Sequence, residues 1–265
     1  MLALIAGSGA LPAVLAASIE ARGARALVAA LEGYPPDGLV PDRGFRLETL
    51  GTLVADLRDQ GVTEVCFAGA IRRPPVDPGQ IDAATMPLVP RLMAALQKGD
   101  DGALREVLAI FEEAGLTVRA ASDLAPELLP EAGVLSSTAP TAVHEQDAAR
   151  AADVLAALGP LDIGQSIVVH RGQVLAVEGS FGTDWMLASL AERPDGQGGV
   201  FYKAAKPGQD RRVDLPLIGA STLQAVHAAG LDGVIIEAGG VMVLELDAVS
   251  RLADALGLFL QVRRS

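Results

Sequence analysis

At 265 residues the chain is long enough to bury a sizeable core, as one large domain or two smaller ones. Half of it is hydrophobic and only 3% aromatic, with Ala, Leu, Val and Gly supplying the apolar mass, which suits helices packed closely on a sheet. A formal net charge of −12 argues against non-specific binding to nucleic acid or an anionic membrane, so an anionic ligand has to be met by a local basic site.

The apolar run 2–6 reads as a strand and lacks the basic stretch of a signal peptide. It ends in Gly7, Ser8 and Gly9. Apolar residues then recur at helical spacing over 11–22, and Gly23 stops them. A second strand over 26–31, a helix over 53–60 and a third strand over 64–68 complete the pattern of a parallel sheet with crossover helices. The single cysteine, Cys66, falls inside the third strand and reads as a small buried side chain, with no disulfide framework or cysteine-based zinc site. Gly69 and the prolines between 74 and 78 close this unit. Helices over 87–97 and 102–114 and a strand over 117–121 follow. The proline-containing stretch 126–140 is the linker candidate.

Beyond it the pattern changes. An Ala-rich helix over 146–158 precedes a hairpin over 165–178 that turns at Arg171 and Gly172, and a strand over 199–204. A second hairpin is expected over 234–245 around Gly239 and Gly240, between helices over 222–229 and 247–256. The expected class is α/β, with an N-terminal Rossmann-like parallel α/β domain over 1–135 and a C-terminal α+β domain with hairpins over 136–265. No segment approaches the roughly 18 apolar residues of a membrane span, so a cytoplasmic protein is expected.

Several motifs carry chemistry. A strand, then Gly7, Ser8 and Gly9, then a helix is either a structural turn or a phosphate-binding one, because glycines allow close approach and a helix N-terminus offers N–H groups. The third glycine of a dinucleotide fingerprint is missing, which weakens an NAD reading even though Glu32 stands where a ribose-binding acid would. Gly69 is followed by Arg72 and Arg73, and in open parallel sheets ligands bind outside the carboxyl ends of the strands. Asp100 and Asp101 precede a helix and can cap it or hold a magnesium ion. Gly182, Thr183 and Asp184 pose the same choice, with capping expected. His144, His170 and His227 share no motif spacing and read as surface or partly packed residues. The richest segment runs from Lys203 and Lys206 through Arg211 and Arg212 to Asp214, placing cations and a carboxylate together in an acidic chain. Asp214 is the carboxylate expected to carry chemistry, with water as the nucleophile and a divalent ion to activate it.

These motifs together resemble the bacterial UDP-2,3-diacylglucosamine pyrophosphatases of the DUF1009 (LpxI) type. The resemblance rests on the run from Leu2 to Pro12, on Gly69 to Pro74, on Gly99 to Asp101, on Gly182 to Asp184 and on KAAKPGQDRRVDLPLIG from Lys203 to Gly219. Ile236 to Gly240 and Leu256 to Phe259 add to it. The matches keep their order over nearly the whole chain. The sequence departs from that family at Trp185, where a smaller residue is usual, and at Gly240, where a bulkier polar one is.

The resemblance implies hydrolysis of UDP-2,3-diacylglucosamine to UMP and 2,3-diacylglucosamine 1-phosphate, lipid X, a step of lipid A synthesis. It implies Mg²⁺ or Mn²⁺ and two domains with the glycolipid between them. Asp214 is then the catalytic residue and, with Asp101, a metal ligand. Gly7, Ser8 and Gly9 are expected on the nucleotide side, and Gly69, Arg72, Asp101, Ser122, Thr138, Gln146, Lys203 and Lys206 as substrate contacts. Expected partners are the glycolipid nucleotide, the cytoplasmic face of the inner membrane as a peripheral contact, and a second copy in a homodimer, with no nucleic acid. Two rival readings are a nucleotide-sugar or NAD-dependent oxidoreductase and a non-catalytic glycolipid-binding protein.

Overall fold

The computed structural model describes residues 1–71, 76–96, 100–194 and 196–264. They divide into two compact units. The first comprises Met1–Pro126 together with Asp210–Val213, and the second Glu127–Gln209 with Asp214–Ser265.

In the first unit β1 (Leu2–Ala6) leads into α1 (Leu11–Ala21), then β2 (Leu27–Leu31), β3 (Arg43–Phe45), α2 (Leu50–Asp59) and β4 (Glu64–Ala68). The helices α3 (Val89–Leu96) and α4 (Asp100–Glu113) precede β5 (Thr117–Val118) and the short α5 (Ala121–Leu124). All five strands are parallel, in the order β3-β2-β1-β4-β5. The direction of winding reverses between β1 and β4, which makes the loops after these two strands the switch point of the sheet.

Both faces of this sheet are covered, which is why 2–6 is an unbroken apolar run. Ala3 and Ile5 pack with Leu53 and Leu57 of α2 and with Leu108 and Phe111 of α4. Leu4 and Ala6, pointing the other way, are equally buried. In α1, Leu11, Leu15 and Ile19 form the buried stripe, Pro12 sits in the first turn where its missing N–H costs nothing, and Gly23 lies just past the end at a φ of +75°. Cys66 is buried in β4, and that burial pushes its thiol up to about 12. The short edge strand β3 escapes sequence reading because its three residues bury only one side chain.

The second unit contains β6 (Gly133–Val134), α6 (Ala142–Leu158), β7 (Ser166–His170), β8 (Gln173–Val177), α7 (Gly182–Ser189) and β9 (Val200–Lys203). It continues with β10 (Leu217–Ile218), α8 (Ala220–Ala228), β11 (Gly233–Glu237), β12 (Met242–Val243), α9 (Leu246–Leu256) and β13 (Phe259–Arg263). Six strands form one sheet in the order β6-β13-β11-β9-β7-β8. Its centre, β9, β11 and β13, is parallel, and β6, β7 and β8 join it antiparallel to their neighbours. One face packs on Met186 and Leu187 of α7, Leu223 and Val226 of α8, and Val249 and Ala253 of α9. The other takes Ala148, Ala151 and Leu155 of α6.

The hairpin expected over 165–178 is present as β7 and β8, turning at Arg171 and Gly172. The hairpin expected over 234–245 is not. β11 lies between β9 and β13, parallel to both, while β12 pairs with β10 in a separate two-stranded ladder. The reason is burial: Val234, Ile235 and Ile236 are all fully buried, which suits a central parallel strand covered on both faces. The stretch 126–140 likewise is more than a linker. β6 within it hydrogen-bonds to β13, so the second unit begins ahead of the expected boundary between 135 and 136. Among the described residues, no helix is long and apolar enough to cross a membrane.

Candidate active site

Around Gly7 the first unit is shaped by main chain. The Gly7 N–H donates to the Ala68 carbonyl at 2.8 Å, and Ser8 and Ala70 exchange N–H to carbonyl bonds of 3.0 and 2.8 Å. A Cβ on Gly69, already at a φ of +92°, would lie 2.6 Å from the Gly7 carbonyl oxygen, and one on Gly7 would lie 2.6 Å from that of Ala70. The two glycines therefore let the chain ends of β1 and β4 pass in backbone contact. Gly9 has a φ of +98° with open space around it, and its carbonyl accepts from the Asp37 N–H at 3.1 Å. Since the N–H groups of Gly7 and Ser8 bond to carbonyls, a ligand at this turn would be met by N–H groups from Gly9 into the first turn of α1. That helix has no side-chain cap on its N-terminus. Ser122, in α5, follows β5 at the same carboxyl edge. Arg72 and Arg73 lie outside the described residues, as does the side chain of Asp101, whose backbone belongs to α4.

The carboxyl edge of the second sheet is instead built from charged and polar side chains. Lys203 ends β9, opposite Ser166 on β7 and Ile236 on β11, and only 7% of it is exposed. Its Nζ donates to Ser166 Oγ at 3.0 Å and to Thr183 Oγ1 at 2.8 Å, with Glu178 Oε2 at 3.8 Å. The Thr183 hydroxyl in turn donates to Glu178 Oε2 at 3.1 Å. Burial lowers the Lys203 pKa from the ordinary lysine value, against the opposing pull of Glu178 and Asp184. The expectation that the run Gly182, Thr183 and Asp184 caps α7 is not met. The N-cap residue is Phe181, without a side-chain cap bond, and the Thr183 hydroxyl serves the buried ammonium, which needs acceptors once removed from water.

The chain then leaves β9 through a turn. The Ala205 N–H donates to Glu237 Oε2 at 3.2 Å, and the Lys206 N–H to Gln209 Oε1 at 3.0 Å. The amide of Gln209 donates through Nε2 to Asp214 Oδ2, so one side chain ties the turn to the half-buried carboxylate. Lys206 Nζ pairs with Asp162 at 2.7 Å. Arg212, expected in the same cationic group, belongs to the first unit. There it pairs with Asp210 at 2.7 Å and with Glu112 at 2.6 Å, and these carboxylates raise its pKa.

Thr138 is not brought to Lys203. It borders a cleft of about 440 Å³ at the amino-terminal ends of β11 and β13, together with Thr141, His144, His227, Asp232 and Phe259. Lys203 stands at the opposite, carboxyl edge of the same sheet. His144 packs on the Phe259 ring at 4.7 Å, accepts from the Thr141 N–H and faces Asp232 at 3.3 Å, which accounts for it structurally. Gln146 is exposed on α6, two residues beyond His144.

Sequence reading missed Ser166, Glu178, Gln209 and Glu237 at the carboxyl edge of the second unit. The signals were present: Gln209 sits in the Pro207-Gly208 turn, and Ser166 is the polar first residue of its strand, ahead of Ile167, Val168 and Val169. Among the described residues, no group of three or more His, Cys, Asp or Glu is placed to hold a metal.

The family model for the LpxI N-terminal domain matches residues 1–128, and that for the LpxI C-terminal domain matches residues 131–261. The chain is also 40% identical over 267 aligned residues to the protein named UDP-2,3-diacylglucosamine pyrophosphatase LpxI of Caulobacter vibrioides, covering 97% of this chain and 95% of that one. A match of this length and order, spanning both units, places the chain in the LpxI family.

Proposed function

We propose that the chain hydrolyses the pyrophosphate of UDP-2,3-diacylglucosamine, releasing UMP and 2,3-diacylglucosamine 1-phosphate for lipid A synthesis. The observation that carries this reading is the 40% identity, along almost the full length of both chains, to a relative named for that activity. In the reaction, water adds to one phosphorus of the anhydride, the bridging P–O bond breaks, and the other phosphate leaves with its nucleoside or sugar.

The carboxyl edge of the second sheet supports roles for individual residues. Asp214, held by the Gln209 amide, is an acceptor fit to orient the attacking water or a hydrated cation. Lys203 is enclosed by Ser166, Thr183 and Glu178, so we assign it as a positioning residue that fixes Thr183 and Glu178, supplying positive charge nearby. In the first unit, the N–H groups from Gly9 into α1 are assigned to the nucleotide's phosphate.

Mg²⁺ or Mn²⁺ belongs to the same reading. Such an ion needs only one or two carboxylates and otherwise takes water and phosphate oxygens, so Asp214 suits it without a dedicated protein cage. When bound, the ion would neutralise phosphoryl oxygens and make water more acidic. Peripheral contact with the cytoplasmic face of the inner membrane, where a diacyl substrate resides, and a homodimer complete the proposal. The test is incubation of the purified chain with UDP-2,3-diacylglucosamine, with Mg²⁺ or with EDTA. UMP released only with the metal is expected; no UMP under either condition from folded protein would refute the reading.

A further inference from the structure

Aromatic residues are scarce in this chain, with six Phe, two Tyr and a single Trp. Two of the nine are nevertheless displayed side by side in the second unit. Phe181 is 72% exposed and Trp185 59% exposed, with ring centroids 5.2 Å apart. Their placement follows from the local fold. The turn closed by the Gly182 N–H on the Gly179 carbonyl, with Gly182 at a φ of +81°, puts Phe181 at a tip. On α7, Met186 and Leu187 face the core, which leaves Trp185 outward, four residues after Phe181 and on the same side.

A second apolar display lies beside it. Leu161 is 66% exposed and Ile163 is 40% exposed, and the loop that carries them meets Glu178, three residues ahead of Phe181. Gly164 is packed against the Glu178 carbonyl, and the Glu178 N–H donates to the Ser166 carbonyl at 2.9 Å. Thr183, two residues after Phe181, is hydrogen-bonded to Glu178 and Lys203, and the Lys206–Asp162 pair ties the loop to the turn that leads to Asp214.

We infer that Phe181, Trp185, Leu161 and Ile163 form the surface with which the second unit seats in the interfacial layer of a phospholipid bilayer. Exposed Trp and Phe beside aliphatic tips suit that layer, where one side of a ring is apolar and the other wet. Continuity points to the occupant: Thr183, between Phe181 and Trp185 in sequence, donates to the polar edge built around Lys203, beside which the attacking water is placed above. A diacyl substrate drawn from a membrane must keep its acyl chains beside such an edge while its polar head reaches it. This inference rests on the proposed function only for that step. The chain's net charge of −12 makes the attraction apolar, so binding should survive high salt.

The single Trp makes the native protein its own reporter. With phosphatidylcholine vesicles and no substrate, Trp185 emission should shift to the blue and be quenched when the lipids carry brominated acyl chains. In Phe181→Ser, which keeps the reporter and alters an exposed side chain, vesicle partitioning should fall about tenfold. UMP release from detergent-dispersed substrate by that variant should stay near the parent's rate. Unshifted, unquenched Trp185 with vesicles present would overturn the inference, as would vesicle binding unchanged in Phe181→Ser. So would the finding that the variant instead dissociates a dimer while neither protein binds vesicles. The two readings fail separately: vesicle binding without UMP release would sink the activity and leave the surface standing, and UMP release in detergent without vesicle binding would do the reverse.

Discussion

The carboxyl edges of the two sheets are made differently. In the first unit the loops after β1 and β4 are fixed by carbonyl to N–H bonds and by two glycines in backbone contact. In the second, the end of β9 is fixed by an ammonium, two hydroxyls and a carboxylate. A site made of main chain tolerates almost any side chain that does not touch it, and fails sterically. A site made of ionisable side chains fails through desolvation and lost charge balance.

That contrast can be broken at either end. The largest effect on stability is expected for Lys203→Met, which strands Glu178 and the two hydroxyls. A loss of about 3 kcal/mol in denaturant unfolding is expected, together with reduced turnover. Gly69→Ala comes next: its Cβ meets backbone atoms that cannot move aside, and its φ is already unfavourable. About 2–3 kcal/mol should be lost, without any change in charge.

Glu48 offers a pH-dependent case within the first unit. It is buried, and hydrogen bonds from the Arg46 guanidinium and the Asp77 N–H hold its carboxyl at about 2, below the ordinary 4.5. A carboxyl held low stabilises the fold fully above pH 4.5 and progressively less as the pH falls toward 2. Glu48→Gln should cost about 1–2 kcal/mol at neutral pH and flatten the decline in melting temperature across that acid window. The smallest effect is expected at Gly9→Ala, where space is open and only the positive φ is penalised, at about 1 kcal/mol. If Gly9→Ala cost as much as Gly69→Ala, the steric account of the first edge would be wrong.

Much of this architecture was legible in the sequence because burial leaves a pattern. The run 2–6 and the spacing of Leu11, Leu15 and Ile19 announce a parallel unit. Asp214 stood out because a carboxylate beside several cations has no packing role. What was hidden depended on partners remote in sequence. Whether 233–237 turned back on itself or ran parallel between β9 and β13 could not be told from its apolar residues alone. Gly182, Thr183 and Asp184 read as a cap because a helix follows them, and only the buried Lys203, 20 residues beyond Thr183, reveals what the Thr183 hydroxyl does. Arg212 looked like part of the cationic group with Lys203, yet its carboxylates lie at Asp210 and Glu112.

The central claim, that the side-chain edge carries the chemistry, is tested most directly by single-turnover UMP release from UDP-2,3-diacylglucosamine by Asp214→Asn beside the parent protein. The amide keeps the shape and a hydrogen-bonding partner for Gln209 but removes the charge. The account predicts folded protein whose UMP release is slower by about a hundredfold or more. Release at the parent's rate from the folded variant would contradict it.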